Sequence, residues 1–480
     1  MKRFLALLLA TIMIVAMCCS CGGSDESENV IKIYMPADPQ QDLNLVVAEA
    51  NKIVEKKLGM KMEVQLIDTG AYAQKMNLNM SARDDYDICF VGYINKFNTA
   101  VSLGGLMQLD DLLKEVPTLK KQIPQYLWDA ATFEGGIYAV PNEQINATKT
   151  TMFTFKDLAD KYGLADLTIR KKYDIEPFLK KIKENEPNLI PYRLNSGGFS
   201  ISDDPNFRGY ETVTSSFVFK KGDPKCKVVL KQDDPAVMAG VARRVEWLKK
   251  GYIRQDAISV TDDTMDYKAG KYAVWSAVYK PGVEADMTAQ FGGREVIAIH
   301  TQDDEPYITN SNCTSTMLAI GANSKHPVEA IKLIELLNTD KELYNLMAFG
   351  IEGKHYNLNA DGKVELVENS GYTMEGWKWG CQFNSYLLAG QADDTWEETK
   401  KINDSAKRSP LLGFSPTLDN IKTEVAACSS ALDEFLKVLD YGVVDVDSAY
   451  NDFINKLDVA GADKIIAEVQ AQVNEWLKTK

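Results

Sequence analysis

Eight cysteines and three histidines are the side chains of this 480-residue sequence best suited to nucleophilic or metal chemistry, and their spacing assigns them to neither. Cys89, Cys226, Cys313, Cys381 and Cys428 are scattered without a CxxC pair, which fits neither a disulfide framework nor a zinc site. His300, His326 and His355 fall at no metal-ligand spacing and read as surface or packing residues. GxSxG, HExxH and P-loop patterns are absent, and among the abundant carboxylates nothing singles out a pair for acid–base work. Asn357, Asn359, Asp361, Gly362, Glu365 and Glu368 do occupy the ligand positions of an EF-hand loop. The first of them is Asn where Asp is expected and the flanks read as strands, so Asn357 to Gly362 is read as a hairpin turn. No metal and no cofactor is expected.

The remaining thiols stand near the first residue. Met1-Lys2-Arg3 form a short basic segment, and Phe4 to Met17 an almost unbroken apolar run. That run is too short to span a bilayer, which takes ~20 apolar residues, but it suits the apolar region of a secretory signal. Cys18, Cys19 and Cys21 follow, ahead of Gly22-Gly23-Ser24, and this arrangement resembles the lipobox of bacterial lipoproteins, in which a cysteine is diacylated and becomes the mature N-terminus. Cys21 is the expected acceptor. Cys18-Cys19-Ser20 occupy the positions where a Leu-Ala-Gly type triplet is usual, so Cys18 and Cys19 stay open as alternatives. Residues 1–20 are then a signal peptide and 21–30 a polar tether.

Removing residues 1–20 takes away Lys2 and Arg3 and no acid, moving the net charge from −14 to −16. An acidic body of this kind argues against nucleic acid and against an anionic membrane surface as partners, since both reward positive charge. The length exceeds what one hydrophobic core usually supports, so two lobes are expected.

The elements that must position any site follow from periodicity. Val30 to Met35 reads as a buried strand, Asp42 can cap a helix that Gly59 ends, and Met62 to Ile67 alternates as a second strand. A helix near Tyr72 to Arg83 and a strand near Tyr86 to Val91 complete βαβ units, which imply a mainly parallel sheet with helices on its faces. Ligands bind beyond the carboxyl ends of such strands, here the loops 36–41, 68–71 and 92–96. Further helices are expected near 174–184, 235–251 and from Pro327, and strands near 271–277, 294–300 and 314–321. Residues 421–477 read as helical with a break around 442–447.

Several stretches together resemble the extracellular solute-binding proteins of bacterial ABC importers, family 1, the carbohydrate-binding group. They are Gly135-Gly-Ile-Tyr-Ala-Val-Pro141, Tyr86-Asp-Ile-Cys-Phe90 with Gly105-Leu-Met-Gln-Leu-Asp110, Tyr267-Lys-Ala-Gly-Lys271 with Ala273-Val-Trp-Ser276, and Ala319 to Pro327. Gly350 to Tyr356, Trp377 to Gly380 and Ser409 to Ser415 are similar to an LplA-like lipoprotein subgroup. The resemblance implies a two-lobed, type II periplasmic-binding-protein-like α/β fold. It places residues 31–142 plus 308–350 in the N-terminal lobe and 143–307 plus 351–480 in the C-terminal lobe, with passages near 141–143, 303–310 and 350–355. It also implies hinge closure on a ligand, delivery to ABC permease subunits, a monomer, and a lipid anchor on the outer face of the cell membrane.

Sugars present flat apolar faces edged with hydroxyls, so their sites need aromatic platforms with amide and carboxylate partners. Candidates in the N-terminal lobe are Tyr34, Asp38, Gln41, Tyr93 and Asn95. Asn142 and Glu143 follow the passage, and Trp275, Tyr279, Trp377, Trp379, Gln382 and Asn384 are candidates in the C-terminal lobe. The expected function is capture of an oligosaccharide without catalysis. A peptide or other polar solute in the same fold, and a surface glycoside hydrolase, are the alternatives.

Overall fold

The computed structural model describes residues 29–147, 149–194, 209–260, 262–301, 306–441 and 445–479; the lipidation candidates Cys18, Cys19 and Cys21 and the signal segment lie outside them. The first sheet has five strands in the order Lys61–Ile67, Val30–Pro36, Ile88–Gly92, Thr316–Ile320, Val140–Pro141. The first three run parallel and are joined by the helices Leu43–Leu58 and Thr69–Ala82, as the βαβ reading requires. Gly59 ends the first helix at φ +70, and the Asp68 carboxylate caps the second by accepting from Ala71 N–H.

The other two strands are antiparallel, Leu318 pairing with Phe90 and with Val140. The second sheet, ordered Val296–Ile299, Lys149–Phe155, Tyr272–Tyr279, Ile190–Tyr192, has a single parallel pairing. Both sheets are therefore mixed, where mainly parallel ones are expected. The reason is topological. Tyr272–Tyr279, the helix Val283–Gln290 and Val296–Ile299 form a βαβ unit, but Lys149–Phe155 inserts between its two strands in the opposite sense. Periodicity reports a strand's faces, not its neighbours.

Each sheet buries its own core, and a third core lies between the C-terminal helices and an antiparallel sheet. Phe217, Phe219 and Leu230 of the strands Phe217–Lys220 and Val229–Leu230 pack with Phe453, Leu457, Ile465, Val469 and Val473. The helices Lys422–Asp440, Val446–Ala460 and Ala462–Leu477 match the helical reading of 421–477. What that reading lacks is their partner, a sheet whose last strand ends at Leu230, far upstream of Lys422.

The EF-hand-like stretch is the hairpin Tyr356–Leu358 and Val364–Leu366. Asn359 Oδ1 accepts from Asp361 N–H (3.0 Å) and Lys363 N–H (2.9 Å), and Gly362 takes φ +71, so the oxygen a cation would need closes the turn.

Candidate functional site

The first sheet ends in three loops. Gly92, at φ +155, permits the third: a Cβ there would lie 2.0 Å from Ser315 O, so the backbones meet only through glycine, and Tyr93 N–H donates to that same oxygen at 2.8 Å. The turn presents Tyr93, 57% of whose surface is open although its ring lies 6.2 Å from Phe90 and 6.0 Å from Trp377. Burial pushes its phenol above the usual range, with Glu375 adding to the effect. Trp377 stands edge-on to Phe90, its ring centroid 6.4 Å away and half-buried.

Trp377 is fixed by Lys378. That lysine is 2% exposed, and its Nζ donates to Pro36 O (2.6 Å) and to Glu375 (2.9 Å), tying the tryptophan's segment to the end of the first strand. In the loop after that strand Asp38 pairs with Lys268 Nζ at 2.8 Å, a contact between the lobes. Oxygens of Asp38, Asp68 and Asp262 lie within 4.8 Å of one another, the group of three potential metal ligands that the described residues bring together. Asp68 accepts from Ala71 N–H, Asp262 from Thr264, and Asp38 from Lys268, so each carboxylate already holds a donor.

The passage from Val140–Pro141 to Lys149–Phe155 is clamped from behind. Asn403, on the helix Thr395–Ser405, accepts from Asn146 N–H (2.8 Å) and Ala147 N–H (3.0 Å) and donates to Gln144 O (2.7 Å). Gln144 in turn donates to the Thr316 hydroxyl. The candidates at this passage are spent on structure. Asn142, 1% exposed, donates to Trp377 O at 3.0 Å while its Oδ1 has no partner. Glu143 faces Gln122 and Cys381, and burial raises its carboxyl.

Of six more candidates, Trp275, Trp379, Asn95 and Gln382 are buried, and Asn384 and Tyr34 are half-buried. Trp275 is 1% exposed among Phe153, Phe155, Tyr267 and Phe291, and Trp379 is fully buried in the first core; each indole N–H is buried without a partner, so neither ring faces a cleft. Asn95, 3% exposed, accepts from Gly92 N–H and donates to Phe90 O, closing its own loop. Asn384 donates to Asn338 O at 2.6 Å, and Gln382 is 9% exposed behind Glu143. Tyr34 stacks on Tyr86 at 5.5 Å, mid-strand.

Tyr279 is half-buried at the end of its strand, 5.1 Å from His300, and Gln41 is exposed beside Gly371. Trp377 and Trp379, expected in the second lobe, pack on the first. The chain stays with that lobe past Gly350, because His355 accepts from Ile351 N–H at Nδ1 and donates from Nε2 to Asp42, the residue before the helix Leu43–Leu58. The structure thus brings Asp38, Tyr93 and Trp377 to one edge of the first sheet and adds Lys268, Asp262, Lys378 and Gln144, which sequence reasoning missed. A pair of acids ahead of a short helix, Asp262-Asp263 before Thr264–Lys268, was the available signal.

Comparison with known proteins agrees with the two-lobed fold. Residues 40–343 match the model of the bacterial extracellular solute-binding proteins, and residues 410–478 match a family described as a domain of unknown function. A carbohydrate ABC transporter substrate-binding protein of Streptococcus pneumoniae is 30% identical, over 94% of this chain and 91% of its own length. The N-glycan transport solute-binding protein NgtS of Streptococcus pneumoniae, solved with Man1GlcNAc, superposes with a TM-score of 0.83 at 27% identity, covering 94% of this chain and 99% of that one. Its complex with Man5GlcNAc gives 0.81 at 28% identity over the same shares. FusA of Streptococcus pneumoniae, solved with kestose, shares the fold alone at 15% identity and a TM-score of 0.61, covering 94% of this chain and 100% of that one. The family match over residues 40–343 and the relative that is 30% identical over 94% of the chain place this protein among the bacterial extracellular solute-binding proteins.

Proposed function

We propose that this chain captures an oligosaccharide between its lobes by hinge closure and delivers it to the permease subunits of an ABC importer, without making or breaking a bond. The observation that carries the reading is the open Tyr93 ring beside the half-buried Trp377 at the carboxyl ends of the first sheet's strands. Two rings at an angle offer apolar faces to successive sugar units, and Asp38 and the exposed Gln41 supply polar partners nearby. Tyr279 is the candidate contributed by the second lobe. Relatives at 27–28% identity solved with Man1GlcNAc and Man5GlcNAc make neutral mannosyl-N-acetylglucosamine chains the first class to test.

The protein works as a monomer, held on the outer face of the cell membrane through diacylated Cys21. Among the described residues no helix is long and apolar enough to cross a membrane. Two acyl chains, at ~0.8 kcal/mol per buried methylene, keep a receptor near its permease where one chain is marginal.

A thermal-shift screen of the mature chain against Man5GlcNAc, other neutral oligosaccharides, peptides and amino acids tests the ligand class. Ligand at 100 times its Kd adds about 2.7 kcal/mol to the unfolding free energy. Stabilisation by peptides with none by any oligosaccharide would reverse the assignment, and release of new reducing ends would remove the non-catalytic reading. Labelling with an alkyne fatty acid that survives Cys21→Ser would move the anchor to Cys18 or Cys19.

A further inference from the structure

We propose that Lys268 is an electrostatic latch: its ion pair with Asp38 holds closed two lobes whose other facing charges at this edge repel one another. Lys268 ends the short helix Thr264–Lys268 of the second lobe, and Asp38 lies in the loop after the strand Val30–Pro36 of the first. The two side chains are 31% and 23% exposed at 2.8 Å, so the pair is screened less by salt than one on the open surface.

Beside that pair, two further carboxylates of the described residues meet at the contact. Asp68 comes from the first lobe and Asp262 from the second, and their oxygens and those of Asp38 fall within 4.8 Å of one another. Both repelling carboxylates are held by their own loops. Asp68 Oδ1 accepts from Ala71 N–H at 3.1 Å, and Asp262 Oδ1 accepts from Thr264 N–H at 3.0 Å and its hydroxyl at 2.7 Å. The other acids near this helix are neutralised inside the second lobe, Asp263 by Arg193 and Asp266 by Arg254 and Lys271. Among the described residues, Lys268 is the cation seen to reach across this contact.

The lobes are also in close contact here. A Cβ at Gly70 would lie 3.6 Å from Asp262 Cβ, so hinge opening separates all four charges. The open–closed equilibrium then carries an attractive and a repulsive interlobe term of similar range, and removing Lys268 leaves the repulsion among these carboxylates unopposed by its charge. The latch rests on the two-lobed architecture and not on which solute is bound.

Small-angle X-ray scattering of the ligand-free mature chain tests it with the wild type, Lys268→Met, Asp38→Asn, Lys268→Arg and Lys268→Met/Asp262→Asn, each first shown to be folded by circular dichroism. The expected result is a larger radius of gyration for Lys268→Met and for Asp38→Asn, no change for Lys268→Arg, and a return toward wild type when Asp262→Asn is added to Lys268→Met. Wild-type scattering from both Lys268→Met and Asp38→Asn overturns the proposal, as does an Asp262→Asn change that leaves Lys268→Met open. Because no ligand is present, this outcome is independent of whether oligosaccharides stabilise the protein.

Discussion

Replacing Tyr93 by alanine asks whether the strand-end platform carries binding energy. An aromatic side chain of about 200 Å² that is 57% open leaves roughly 110 Å² to cover. A sugar lying on one face covers about half of that, and at ~25 cal/mol per Å² the contribution is about 1.4 kcal/mol, or roughly tenfold in Kd. Isothermal titration of the mature chain with Man5GlcNAc, or with whichever oligosaccharide stabilises it best, should show Tyr93→Ala weakening by about that factor. Tyr93→Phe should stay within about twofold, since it keeps the face. The variant itself should stay folded, because the lost ring contacts to Phe90 and Trp377 cost about 0.5–1.5 kcal/mol each. Unchanged affinity in both Tyr93→Ala and Trp377→Ala refutes the platform and moves the ligand elsewhere in the cleft.

Two further outcomes follow from buried groups at the junctions of the fold. Asn403→Ala orphans the Asn146 and Ala147 N–H groups, each worth about 1–3 kcal/mol when buried; it should cost about 3 kcal/mol in chemical denaturation. Asn403→Asp keeps the acceptor and should recover most of that loss, and an Asn403→Ala curve that overlays the wild type would show that the clamp is not made. Glu211, 5% exposed beside Tyr307 and Ser409, has its carboxyl pushed up to about 7 by burial, which outweighs both hydroxyls and Lys221. An acid raised above its unfolded value of 4.5 stabilises the fold below that pH and loses the contribution as pH rises through 7. Wild-type stability should therefore fall by about 3 kcal/mol relative to Glu211→Gln between pH 4.5 and 8, and parallel pH profiles for the two proteins would contradict it.

Much of the local structure was legible because its causes are local. Gly59 stops a helix, Pro327 opens one at its first turn, and Asn359 with Gly362 closes a hairpin through bonds made within four residues. The three N-terminal strands and their crossover helices followed from hydrophobic period alone. The binding residues were less legible. Trp275 and Trp377 are the same residue type at comparable places in the sequence pattern, yet one fills the second core and the other borders an open tyrosine. Only packing distinguishes them, since a ring in a strand next to Phe153 and Phe155 has no other place to go.

Composition and spacing shorter than one element were enough to set the acidic body and the element types, and to raise the expectation of an export signal. Tertiary structure alone decided that the sheets are mixed, that the C-terminal helices cover a distant antiparallel sheet, and that Asp38 meets Lys268 across 230 residues and Asn146 meets Asn403 across 257. Strand neighbours and interlobe partners are chosen by which buried faces and charges can be satisfied together, and a side chain carries no record of the partner it will find.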